Sequence, residues 1–61
     1  MMYDLIIYNH GTCKTKNRIC NNIEEVMENC PVKLYPVDGG YMGHDEDTDY
    51  MAIELDYGRY I

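Results

Sequence analysis

The chain has neither phenylalanine nor tryptophan among its 61 residues, so its core must come from aliphatic side chains, Met and Tyr. Cysteine is sparse. Cys13, Cys20 and Cys30 cannot all pair within one chain, which weighs against the cross-linked framework of a small secreted domain and leaves free thiols as the expectation. Long apolar runs are missing as well. Leu5-Ile6-Ile7 is far too short for a signal core or a membrane span, and Met1-Met2-Tyr3-Asp4 lacks the basic stretch that begins a secretory signal. The expected location is therefore the cytoplasm. Positive charge is scarce: five Lys and Arg stand against eleven Asp and Glu, a net charge of −6. That balance argues against direct binding to nucleic acid or to an anionic membrane. There is no internal repeat, no linker, no low-complexity stretch and no catalytic signature.

What is abundant is tyrosine and methionine, seven and five residues, both types enriched at protein interfaces. A chain of this length buries only about 60% of the surface it exposes when unfolded. Residues 1–61 are thus expected to form one small domain, with little room for both a core and an enclosed substrate cavity.

Residues 2–8 read as a strand, with Tyr3, Leu5 and Ile7 on one face and Asp4, Ile6 and Tyr8 on the other. Residues 14–20 are polar and basic, an irregular arm or a short edge strand guarded by Lys. Ile23, Val26, Met27 and Cys30 recur at helical spacing and predict a helix of about nine residues. Asn22 with Glu25 makes a variant of the capping box, and Pro31 stops the helix. Val32 to Val37 reads as a strand with Pro36 at an edge or end. Asp38-Gly39-Gly40 signals a turn that Tyr41–His44 lengthens, and residues 45–49 read as a solvated acidic loop. In the last strand Met51, Ile53, Leu55 and Tyr57 alternate with Ala52, Glu54 and Asp56, which puts the first set on the apolar face. The pattern predicts an α+β fold: a small antiparallel β-sheet of three to four strands with one short amphipathic helix packed on one face.

The charge is unevenly placed. Residues 1–20 sum to +2 and residues 21–61 to −8. Glu24 and Glu28 lie one helical turn apart, roughly 5–6 Å between Cβ atoms. Glu54 and Asp56 share one strand face, roughly 7 Å apart. Such separations are similar to those between neighbouring phosphates, so an array of this kind can compete for a groove lined with Lys and Arg. A solvated face that keeps a small protein soluble is the other reading. Asp45-x-Asp47-x-Asp49 matches the opening of an EF-hand loop, but Tyr50 stands where glycine is needed and Asp56 where a bidentate Glu is usual. His10, Cys13, Cys20, Cys30 and His44 supply zinc-type ligands without the two close pairs of a structural site. Cys13 near His10 and Lys14 has the makings of an activated thiolate but no identifiable oxyanion donor or orienting acid. Tyrosine beside carboxylate offers large, stiff contact area with a polar tip. A core of this size cannot enclose all seven.

In length and in its acids Glu24, Glu28, Asp45, Glu46, Asp47, Asp49, Glu54 and Asp56, the chain resembles, as a class, the small acidic inhibitors that phages encode against host defence, anti-CRISPR proteins among them. The resemblance implies a non-enzymatic inhibitor without cofactor or metal that blocks a nucleic-acid site or a conformational change in a nuclease complex, in the host cytoplasm. The expected partner is a protein with a basic nucleic-acid-binding groove. The expected contact residues are those eight acids, with Tyr41 and Tyr50 as anchors. Two alternatives stay open: a homo-oligomeric structural or regulatory protein, a homodimer being its simplest form, and a small metal- or ligand-binding module using His10, Cys13 and the acidic loop.

Overall fold

In the computed structural model, residues 1–55 are described; Asp56 and Tyr57, both assigned above to the last strand, lie outside the described residues with the rest of the C-terminus. Met2–Asn9 forms β1 and Lys14–Cys20 forms β2. The helix α1 spans Ile23–Glu28, followed by β3 at Tyr35–Val37, β4 at Gly40–His44 and β5 at Thr48–Leu55. All five strands join one antiparallel sheet in the order β2-β1-β5-β4-β3. The β-rich, alternating β1 thus pairs on both sides, with Leu5 opposite Arg18 on β2 and Ala52 on β5.

This corrects the α+β expectation of three to four strands with a covering helix. The chain is mostly β, and the single helix among the described residues has six residues. The physical reasons are local. Asn22 caps the helix as the sequence indicates: its Oδ1 accepts from the Glu25 N–H at 2.9 Å, while the Glu25 carboxylate accepts from the Asn21 N–H at 2.8 Å. The far end stops before Pro31, because the Asn29 side-chain amide donates to the Glu25 carbonyl at 2.8 Å and its oxygen accepts from Arg18 at 2.8 Å. The basic stretch is a full seven-residue strand although only Cys20 is buried on it, since the backbone ladder to β1 holds it.

The strand missed in the sequence is β4. Gly39, at φ +86°, lets the two residues Asp38 and Gly39 close a hairpin in which Val37 stands opposite Gly40. Gly40 itself lies so close to the Ala52 carbonyl that a Cβ would overlap it. Two glycines in a five-residue strand hide its β character from any propensity argument.

The core comprises Tyr3, Leu5, Cys20, Val26, Cys30, Tyr50 and Ala52, with no buried charged group among the described residues. The helix packs against β1 and β2 on one sheet face. On β1 that face carries Tyr3 and Leu5, as the alternation predicts. On β5 the apolar set is grouped as expected but is not the buried one. Ala52 and Tyr50 point into the core, whereas Met51 and Ile53 are exposed on the opposite face. No helix among the described residues is long and apolar enough to cross a membrane.

Candidate interaction surfaces

The acidic loop is reduced by the early start of β5 to Asp45, Glu46 and Asp47. The Asp45 carboxylate turns back on its own chain, accepting from the Asp47 N–H at 3.0 Å and the Thr48 N–H at 2.9 Å. The Asp47 carbonyl accepts from the His10 N–H at 2.7 Å, which ties this loop to the end of β1. Among the described residues neither the Glu46 nor the Asp47 carboxylate at the tip has a hydrogen-bond or ion-pair partner. Asp49 is engaged differently: its Oδ2 lies 2.8 Å from His10 Nε2, with both side chains about half exposed. A pair so open to solvent contributes little to stability.

The remaining acids lie elsewhere. Glu54 is paired with Tyr3 in the sheet, five residues along β5 from Asp49 and on the opposite face, about 17 Å away along the strand. Glu24 and Glu54 both act on the Tyr3 hydroxyl, whose pKa is raised first by burial, then by Tyr41 and these two carboxylates. Glu28 closes the exposed side of α1. The acids expected to form one contact surface therefore divide between two ends of the sheet, and Asp56 falls outside the described residues.

Of the two expected anchors, Tyr50 is buried, its hydroxyl pKa raised chiefly by that burial and further by Asp45. It serves the core and offers a partner almost nothing. Tyr41 is half-buried and leans on Tyr3, ring centroids 6.0 Å apart at 58°. With Ile23, Met27, Cys30, Val32 and Leu34 it lines an apolar groove of about 380 Å³ between α1 and the segment before β3. A second recess of about 480 Å³ lies at the uncovered end of the helix-side face, where Lys14 and Lys16 meet Thr12, Thr48 and Tyr50.

The residues weighed for metal and nucleophile chemistry are dispersed. Cys20 and Cys30 are buried thiols whose pKa values are raised chiefly by burial. Cys13 is exposed at φ +57°, and its thiol donates to the His10 carbonyl at 3.7 Å and not to the imidazole, which is turned to Asp49. Among the described residues no three His, Cys, Asp or Glu side chains gather closely enough to hold a metal ion.

The surface that sequence reasoning missed is the outer sheet face. Register places Val37, Gly40, Ile53, Asp4 and Ile19 in one row across the five strands, and Tyr35, Met42, Met51, Ile6 and Asn17 in the next. Six of the eight exposed large hydrophobic residues among the described residues, Ile19, Tyr35, Val37, Met42, Met51 and Ile53, lie here. Asp4 is the one charged side chain within these two rows, and its carboxylate accepts from Asn17 at 3.3 Å. The signal is present in the alternation of β5, whose apolar set includes Met51 and Ile53. Gly40 opens a shallow depression of about 290 Å³ beside Val37, Met42, Met51 and Ile53. Compared with protein-family models, curated proteins and solved structures, the chain matches none of them.

Proposed function

We propose that this chain is a non-enzymatic binding protein that inhibits a basic nucleic-acid-handling protein, with a CRISPR effector as the target class, in the cytoplasm of a host cell. One observation supports the reading most. Among the described residues no Lys or Arg nitrogen lies within ion-pair distance of a carboxylate; the single ion pair is His10 with Asp49. The described carboxylates therefore have no Lys or Arg counterion among the described residues, and Glu46 and Asp47 project from a turn held by Asp45. A partner's cations gain new contacts there without displacing existing ones, and complementary fields speed association. Glu24, Glu28 and Glu54 extend the acidic surface toward the other end. Bound in this way, the protein occupies a groove that nucleic acid would otherwise fill. A cytoplasmic setting fits the three free thiols.

The test is capture of a CRISPR nuclease complex by tagged protein, with and without excess DNA, followed by cleavage assays on the purified complex. Glu46→Lys combined with Asp47→Lys leaves the turn-forming Asp45 intact; it should weaken capture and flatten its salt dependence. Capture that ignores both DNA and the charge reversals, or no inhibition of any complex, would overturn the reading.

A further inference from the structure

A sheet with two apolar faces needs a layer on each. Here α1 and the segment before β3 cover one face, and nothing among the described residues covers the other. We infer that the outer face, centred on Met51 and Ile53, is a two-fold interface with a second copy of this chain, the two sheets packing face to face.

Four observations select a second copy. The first is the pattern of the face itself. β5 is the middle strand of the five. A two-fold axis lying along β5 between two stacked sheets exchanges β1 with β4 and β2 with β3. It sets Ile6 against the partner's Met42, Ile19 against the partner's Val37, and Asn17 against the partner's Tyr35. Met51 and Ile53 meet their own counterparts on the axis. Apolar thus falls on apolar at Ile6, Ile19, Met51 and Ile53, while Asn17 meets the partner's Tyr35 and Asp4 the partner's Gly40. A face destined for an unrelated partner has no reason to be complementary to itself, whereas an isologous interface requires it.

The second is Asp4. Under the same operation this carboxylate comes opposite the partner's Gly40, where the depression leaves room for hydrated charge instead of an apolar side chain. The third is the state of the sheet edges. β2 carries Lys14, Lys16 and Arg18, and β3 has only three residues with Pro36 in the middle, so edge-to-edge pairing is disfavoured.

The fourth is size. With about 3.3 Å per residue and 4.8 Å between strands, the two rows project roughly 320 Å² per copy; the whole outer face, with the row of His44, Asp49, Tyr8 and Thr15, projects roughly 500 Å², or about 1,000 Å² for the pair. That stands at the lower bound for a specific interface, and sheets packed about 10 Å apart at about −30° would interdigitate these side chains. The charge of −6 on each copy opposes association, which further sets the expected affinity in the micromolar range. Glu24, Glu28, Glu46, Asp47 and Glu54 lie off this face and stay free in the dimer, whereas Asp49, two residues along β5 from Met51, lies on it at the rim beside His10.

The experiment is sedimentation equilibrium on the full chain across concentration, with two charge variants. Ile19 and Val37 are both exposed, at 46% and 44%, so Ile19→Lys and Val37→Asp perturb the monomer little; far-UV circular dichroism verifies folding. Wild type should approach twice 7.2 kDa as concentration rises. Each variant alone should dissociate at least about tenfold more readily, by setting a charge against an apolar residue of the other copy. An equimolar mixture of the two should recover the dimer, because the ammonium introduced on one copy then meets the carboxylate introduced on the other. Wild type that stays monomeric at every concentration, whether because residues 56–61 or an unrelated protein cover the face, overturns the inference. So does a mixture that fails to associate while wild type dimerises. Loss of binding to a nuclease complex leaves these masses unchanged, which keeps this inference separable from the proposed function.

Discussion

On β5 the smaller of two adjacent side chains is the buried one: Ala52 is 1% exposed, and its neighbour Met51 is 38% exposed. Ala52 sits opposite Leu5 in the core with Val26, where a small side chain leaves space for the covering layer. Gly43 serves the same end on β4, since a Cβ there would press on the Lys33 carbonyl and on Val32 and Leu34 as their segment crosses the sheet. At Ala52 and Gly43 the helix-side face is therefore built for close approach of the covering layer.

Leu5 is fully buried at the centre of this packing. Leu5→Ala should cost about 2–5 kcal/mol, a large share of the total stability of so short a chain. Met27→Ala, at an exposed position, should stay within about 0.5 kcal/mol. Urea denaturation checks both, and equal effects would contradict the assigned core.

Alkaline pH should unfold the protein progressively. Burial raises the pKa of Cys20, Cys30, Tyr3 and Tyr50, and each group is neutral when protonated. The folded state therefore holds these protons more tightly than the unfolded state. Stability is fully present below the ordinary thiol value of 9.0 and falls as pH rises through it and then through 10.0, the ordinary tyrosine value. The urea midpoint should be level below about pH 8 and decline above about pH 9. A midpoint unchanged well above about pH 10 would remove burial as the cause.

Thiol chemistry should separate the three cysteines. Cys13 is exposed, while Cys20 and Cys30 are buried. Ellman's reagent should titrate one thiol per native chain promptly and three in denaturant. Prompt reaction of all three would mean that the core around Cys20 and Cys30 opens freely.

Much of the fold was legible wherever local chemistry decides it. The β1 alternation identified Tyr3 and Leu5 as inward, and Asn22 with Glu25 marked the helix start, because both depend on neighbouring residues. The end of α1 was not legible, since it depends on Arg18 reaching Asn29 from another strand. Strand β4 was hidden by Gly40 and Gly43, whose purpose is visible only once Ala52 and Lys33 stand beside them. The β5 alternation correctly grouped Met51 with Ile53 but could not say which face the helix covers. Of the candidate site, the turn residues Asp45, Glu46 and Asp47 are together as expected. Tyr50 is in the core, and Glu54 lies on the opposite face from Asp49 because an odd number of strand positions separates them.

The outer face is the central claim, and its most direct measurement is an isotope-filtered NOE experiment on an equal mixture of labelled and unlabelled chain. The account predicts intermolecular contacts from Ile6 to Met42 and from Ile19 to Val37, with Ile53 in contact with its own counterpart. Intermolecular contacts confined to the strand edges, or contacts to that face only from residues 56–61 of the same chain, would contradict it.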